Sequence, residues 1–264
     1  MAGKKKDTSL HHHLVGSRSL VWNLAKNDIK KKFAGSYFGV VWAFVQPVIT
    51  VLLYWFVFEK GLNSKATDLR TGIEIPFVLW LTAGLVPWFY FQEALNGGTG
   101  VLVEYSYLVK KVVFQIDMLP VVKMISALFT HLFFVAFTMV LFICMGYMPD
   151  WYALQVVYYS FCMILFATGL VYATSAVTVF FRDMKEVVGI LLQIGMWVTP
   201  IMWNFETMVQ IPGWAIAVLK LNPMYYIVSG YRNALINHIG FWEDMGITVY
   251  FWVVTAVILF LGTT

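Results

Sequence analysis

Long apolar runs separated by short charged stretches organise the chain. A bilayer's hydrocarbon core is about 30 Å thick, so a crossing helix needs about 20 apolar residues. Runs that meet or approach this length occupy 37–58, 75–95, 119–147, 151–181, 187–203 and 246–264. Gln46-Pro47 interrupts the first and Pro87 the second, which predicts a kink or local unwinding at Pro47. The stretch from Arg182 to Arg232 departs from the pattern. It opens on a charged tip, Arg182-Asp183-Met184-Lys185-Glu186, and continues as the apolar run Val187 to Trp203. Pro200, Pro212, Gly213 and Pro223 then break it. Residues 204–240 hold no clean span, which predicts re-entrant helices on the far side of the membrane. Broken backbone at membrane depth is tolerated only where protein or a water-filled cavity covers it, so a cavity for passage or binding is expected here. The pattern predicts an all-α membrane protein. It has six transmembrane helices, an N-terminal amphipathic interface helix, and external re-entrant helices before the last span.

The flanks refine this division. Residues 1–16, with Lys4-Lys5-Lys6 and His11-His12-His13, read as a basic tail. In residues 17–33, Trp22, Ala25, Ile29 and Phe33 recur at helical spacing while Lys26, Lys30 and Lys31 fall elsewhere. A basic amphipathic helix of this kind lies in the membrane interface. It can anchor on anionic lipid, present a surface to a cytoplasmic partner, or do both. Residues 34–264 form one transmembrane domain with a cytoplasmic loop at 96–118 and the re-entrant region at 204–240. The last span ends in apolar sequence without a basic flank, so a cytoplasmic tail is expected beyond it.

Composition agrees with a polytopic membrane protein: 60% of residues are hydrophobic and 12% charged, against about 25% charged in soluble domains. With the N-terminus inside, residues 1–36, 96–123 and 182–186 are cytoplasmic and carry 13 of the 18 Lys and Arg. That asymmetry sets the orientation and accounts for the net charge of +4 without a nucleic-acid partner. No apolar segment follows Lys4-Lys5-Lys6 as a cleavable signal requires. Cys144 and Cys162 lie in apolar runs and read as small buried hydrophobes. Aromatic residues make up 18%. They serve interfacial belts and packing, or line a path for a sugar-like solute.

Catalysis needs a paired acid and base, or a metal cluster, near a membrane face. His131 stands alone in the third span as a packing residue, and His238 lies near Glu243 and Asp244 in a loop. No metal site or cofactor site is expected. Asn96-Gly97-Gly98-Thr99-Gly100 is not followed by the Lys-Ser/Thr of a phosphate-binding loop. Ionisable residues deep in the spans, the mark of an ion-coupled carrier, are scarce, and the halves show no clear repeat. Energy for active transport must then come from a partner. The helix at 17–33, the amphipathic segment at 101–111 and the turn at 182–186 offer three docking elements on one face. A membrane enzyme of lipid-linked sugar metabolism is the reading outside transport.

Six groups of residues, in order along the chain, carry a resemblance. They are Asp28-Ile29-Lys30 with Tyr37-Phe38-Gly39 and Trp42-Ala43-Phe44; Gly84-Leu85-Val86-Pro87-Trp88; Leu108-Val109-Lys110-Lys111-Val112; Phe180-Phe181-Arg182-Asp183; Trp197-Val198-Thr199-Pro200-Ile201; and Asn222-Pro223-Met224-Tyr225. In these the chain resembles the transmembrane permease subunit of ABC exporters for polysaccharides and polyol phosphates, of O-antigen, capsule or teichoic acid type. The resemblance implies a homodimer in the bacterial cytoplasmic (inner) membrane with two copies of a separate ATPase, which binds ATP and Mg. It implies a glycan on an undecaprenyl-diphosphate carrier as substrate, O-antigen first, with teichoic acid or capsule polymer as alternatives. The helix at 17–33 becomes the interface helix and the 96–111 loop the coupling helix. Expected ATPase contacts are Trp22, Lys26, Ile29, Lys30, Glu104, Tyr107, Lys110, Lys111, Arg182 and Asp183. First and fifth spans of the two copies meet around a channel in the family. Tyr37, Trp42, Phe44, Tyr54, Trp88, Trp197 and Trp203 are the candidates to line or gate it. Arg232 joins them, either meeting diphosphate or, by preference, pairing with Glu206.

Overall fold

A computed structural model describes residues 18–32, 36–106, 116–204 and 211–264. Helix α1 (Arg18–Lys32) precedes α2 (Trp42–Trp55), which runs on as a π-helical turn, Phe56–Gly61. A short antiparallel hairpin, β1 (Ala66–Thr67) and β2 (Glu74–Ile75), leads into α3 (Phe77–Thr99) and the single turn α4 (Val101–Glu104). Then come α5 (Leu119–Cys144), α6 (Gln155–Phe180) and α7 (Met184–Val198). Helices α8 (Gly213–Lys220) and α9 (Pro223–Arg232), a π-turn at Asn233–Asn237, and α10 (Met245–Thr263) complete the chain.

Among the described residues, four helical segments are long and apolar enough to cross a membrane: Trp42–Gly61, Ile116–Cys144, Trp151–Phe180 and Met245–Thr263. Two predicted spans take another form. Helix α3 has 23 residues and is the axis of the bundle, buried along most of its length and enclosed by α5, α6, α7 and α9. A helix apolar on all sides is a core helix. Helix α7 has 15 residues, or about 22 Å at 1.5 Å per residue. It stops at Thr199 because the residue before Pro200 is driven to extended backbone, here φ −76 and ψ 125. The buried Ile201 and Met202 carry the chain on into the core.

Small residues set the closest crossings. A Cβ on Gly98 would collide with Val171 of α6, and one on Gly262 of α10 with the backbone of Gly169 in α6. Glycine at such points lets helix backbones approach within a membrane. This also explains why Gly97 and Gly98 do not end the second span as their composition suggests. The helix continues to Thr99, whose hydroxyl bonds Leu95 O at 2.7 Å and Thr174 Oγ1 at 2.8 Å.

Pro47 lies inside α2, and the departure from α-geometry is at Phe56–Gly61 instead. Cys162 is buried as expected, whereas Cys144, at the last residue of α5, is exposed. His131 is the hydrogen-bonded packing residue the sequence suggests. Its Nε2 lies 3.1 Å from Tyr231 Oη and 3.3 Å from Ser160 Oγ. His238 faces Asp150 at 3.4 Å and edges onto Tyr152.

Candidate functional site

The end of the bundle that carries α1 is built around one lysine. Helix α1 presents Val21 and Ala25 to Met118 and Val122 at the start of α5. Asp28 follows one turn later on the same side and is buried. The buried stripe is thus 21, 25 and 28, rotated from the predicted one. Trp22 and Ile29 lie to its sides, and Phe33 is outside the described residues. Lys123 Nζ meets Asp28 Oδ1 at 2.7 Å and Glu104 Oε2 at 3.0 Å. Tyr105 donates its hydroxyl to Asp28 Oδ1 at 2.8 Å, and its ring carries Lys123 at 5.4 Å and Lys31 at 5.6 Å. Ser126 donates to Ala25 O at 3.2 Å. One ion-pair network therefore fastens α1, the α4 turn and α5 together.

Beside this joint a cleft of about 570 Å³ opens between α1, α2, α3 and α5. Gln46 and Pro47 of α2, Gln92, Glu93 and Asn96 of α3, and Thr130 of α5 face it. Lys185, in the first turn of α7, closes one side. A second cleft of about 320 Å³ lies between Glu104, Thr178, Arg182 and Lys185, so Glu104 stands between the two.

These features fall within a stretch that matches a known family: the model of the ABC-2 type transporter covers residues 19–236. The chain belongs to the ABC-2 type transporter family. It is 25% identical over 229 residues to a Myxococcus xanthus protein named O-antigen export system permease protein RfbA, covering 87% of this chain and 85% of that one. A Klebsiella pneumoniae protein of the same name is 21% identical over 228 residues, covering 85% and 83%. A second from Klebsiella pneumoniae is 19% identical over 216 residues, covering 81% and 79%.

In this ABC-2 family chain the predicted contact residues divide. Trp22, Lys26 and Lys30 are exposed along α1, with Lys26 over the Trp22 ring at 5.2 Å. Ile29 lines the cleft, Glu104 is held by Lys123, and Arg182 and Asp183 form the exposed turn before α7. Tyr107, Lys110 and Lys111 lie outside the described residues.

The predicted ring residues occupy separate places. Tyr37 is 96% exposed and continues through Phe38 to Trp42 as an edge-to-face series. Phe44 packs at a tilt against Phe133 of α5, with centroids 4.2 Å apart, and Tyr54 meets Phe58 edge-on. Trp88 is buried within the subunit, against Phe91 and under Gly195 of α7. Trp203 donates to Trp197 O at 2.9 Å at the end of α7.

Arg232 is buried at the end of the bundle opposite α1. Its guanidinium lies 3.3 Å over the Trp80 ring and donates to Pro200 O and Ile201 O, both at 2.7 Å. Gly84 leaves room for it. Glu206, its predicted partner, is outside the described residues. The described acceptors are the carbonyls of Pro200 and Ile201, in the turn after α7, and Trp80 O at 3.4 Å.

Sequence reasoning passed over Asp28, Lys123, Gln46 and Gln92 as site residues. For Lys123, Gln46 and Gln92 the available signal was a polar side chain inside an otherwise apolar run, and for Asp28 a lone acid among lysines. Their convergence depends on how four separate helices pack.

Proposed function

We propose that this chain is the permease subunit of an ABC exporter that carries an O-antigen, linked to undecaprenyl diphosphate, across the bacterial cytoplasmic membrane. The relatives named as O-antigen permeases support the substrate class, since each aligns with more than four-fifths of this chain. One observation carries the mechanism: the Asp28–Lys123–Glu104 network ties the exposed basic helix to the spans. Two copies of a separate ATPase bind ATP and Mg and close on the cytoplasmic side. Trp22, Lys26 and Lys30 on α1, with Arg182 and Asp183, receive that motion. Lys123 passes it to α5, and α3 passes it to the rest of the bundle.

In this reading α3, and α7 with its following turn, complete six spans with the N-terminus in the cytoplasm. Helices α8 and α9 re-enter from the outer side. The permease pairs with a second copy, and α2 and α7 of both enclose the channel. Exposed Val187, Ile190, Leu191 and Ile194 on α7 support that pairing. Tyr37, Trp42, Trp197 and Trp203 then stand at its ends, where aromatic faces suit the C–H surfaces of sugars.

The test is co-purification of the chain with its ATPase and ATP hydrolysis by the complex, with and without residues 17–33. Retention of the ATPase by the full chain, and its release or uncoupling on deletion, is the expected result. Failure of the intact chain to bind any ATPase sinks the reading.

A further inference from the structure

The cleft between α1, α2, α3 and α5 has a mixed polar and apolar lining. Gln46, Gln92, Asn96 and Thr130 share it with Phe89 and Pro47. Its volume of about 570 Å³ falls in the range of small-ligand sites, about 300–1,000 Å³. Thr130 lies well inside α5, about 16 Å along the axis from Leu119 at 1.5 Å per residue. Gln92 and Asn96 lie within about the last two turns of α3, before its end at Thr99, and polar side chains within a span persist where they line a wet cavity.

The chemistry of the lining selects among polar ligands. Lys31, Lys123 and Lys185 are balanced by Asp28, Glu93 and Glu104. Lys123 is already engaged by Asp28 and Glu104. A diphosphate is recognised by a surplus of cationic donors, and among the described residues the cleft has no such surplus. Its amides both donate and accept, its carboxylates accept, and its hydroxyl groups do either. That mixture, beside the Phe89 ring, matches the vicinal hydroxyls and apolar C–H face of a sugar.

We propose that this cleft within one subunit is a carbohydrate subsite that takes a neutral glycosyl residue, held by Gln46, Gln92 and Asn96 over Phe89. As a station for an exported glycan it rests on the function proposed above. The binding itself can be read without the ATPase.

The experiment is saturation-transfer NMR on the full chain in nanodiscs, with and without the ATPase. The probes are methyl β-D-glucopyranoside and methyl N-acetyl-β-D-glucosaminide. Inorganic pyrophosphate, followed by phosphorus line width, is the anionic comparison. Transfer to sugar ring protons is expected, falling about ten-fold in Gln92→Leu with Asn96→Leu, as loss of hydrogen-bonding partners predicts. Gln46→Leu is the second variant. Gln46 and Gln92 are exposed on their helices, so leucine there leaves the packing intact. Absence of transfer in the wild type, or equal transfer in the wild type and both variants, overturns the proposal. So does pyrophosphate broadening without sugar transfer. An intact chain that binds sugar but no ATPase overturns the exporter reading alone.

Discussion

Lys123 Nζ lies 2.7 Å from Asp28 Oδ1, so the first turns of α5 hold the amphipathic helix α1 by an ion pair. The two side chains are 12% and 10% exposed, while Glu104, the second acceptor, is 54% exposed. Removing one member of a buried pair leaves an uncompensated charge and costs about 3–5 kcal/mol. Partial hydration through Glu104 places Lys123→Met near the lower end, about 3 kcal/mol. Thermal unfolding of the purified chain reads the loss. Asp28→Asn combined with Lys123→Met should recover more than half of it, and a single variant that melts like the wild type excludes the joint.

Arg232 cannot be exchanged for lysine without loss. A guanidinium stacks flat on Trp80 while reaching two carbonyls, whereas an ammonium is a compact point charge. Hydrogen bonds from charged groups contribute about 1.5–3 kcal/mol each. Arg232→Lys should therefore lower the melting temperature, and Arg232→Ala should lower it further. Equal melting of Arg232→Lys and wild type contradicts the carbonyl-binding role.

Gly98 and Val171 test the central crossing. A methyl group at position 98 overlaps the Val171 side chain, and overpacking of this kind costs about 1–3 kcal/mol. Gly98→Ala should destabilise the chain, and Val171→Ala should restore most of the loss when the two are combined. Melting curves of the three variants decide it, since additive losses would show that the helices do not meet there.

Asp68, in the loop between β1 and β2, gives a pH-dependent signature outside the spans. Burial works to raise its carboxyl, but hydrogen bonds from the Thr71 hydroxyl and from the Arg70 and Thr71 N–H groups outweigh it. The group is held below its ordinary value of 3.8. A lowered folded value means that its contribution is complete above 3.8 and is lost as pH falls through the folded value. Amide protection at Arg70 and Thr71 should be constant down to about pH 4 and decline below it. Asp68→Asn should remove that dependence. A wild-type loop equally protected at the lowest pH would refute the assignment.

Much of the bundle was legible because a membrane imposes length and composition on each crossing helix. The runs at 119–147, 151–181 and 246–264 correspond closely to α5, α6 and α10. Pro223, read in the sequence as a break, opens helix α9. The Asn222 side chain accepts from Met224 N at 3.0 Å, and Pro223 occupies a position that needs no N–H. Less legible were α3 and α1. Gly97-Gly98 reads locally as a helix end, yet close packing against Val171 makes glycine the residue the helix needs there. On α1 the apolar spacing favoured Trp22, Ala25 and Ile29, whereas a buried aspartate defines the packed side because Lys123 compensates it.

The amino-acid order by itself determined the solvent of this protein, its helical class and the positive end of its bundle. These follow from local quantities: run length, proline position and the count of lysine and arginine along each stretch. Only the tertiary structure decided that Lys123 meets Asp28 across 95 positions, that Arg232 closes the open carbonyls after α7, and that polar residues of four helices share one cleft. Such relationships arise where helices cross. The crossing geometry is fixed by small residues and side-chain volumes on several segments at once, and no single stretch encodes it.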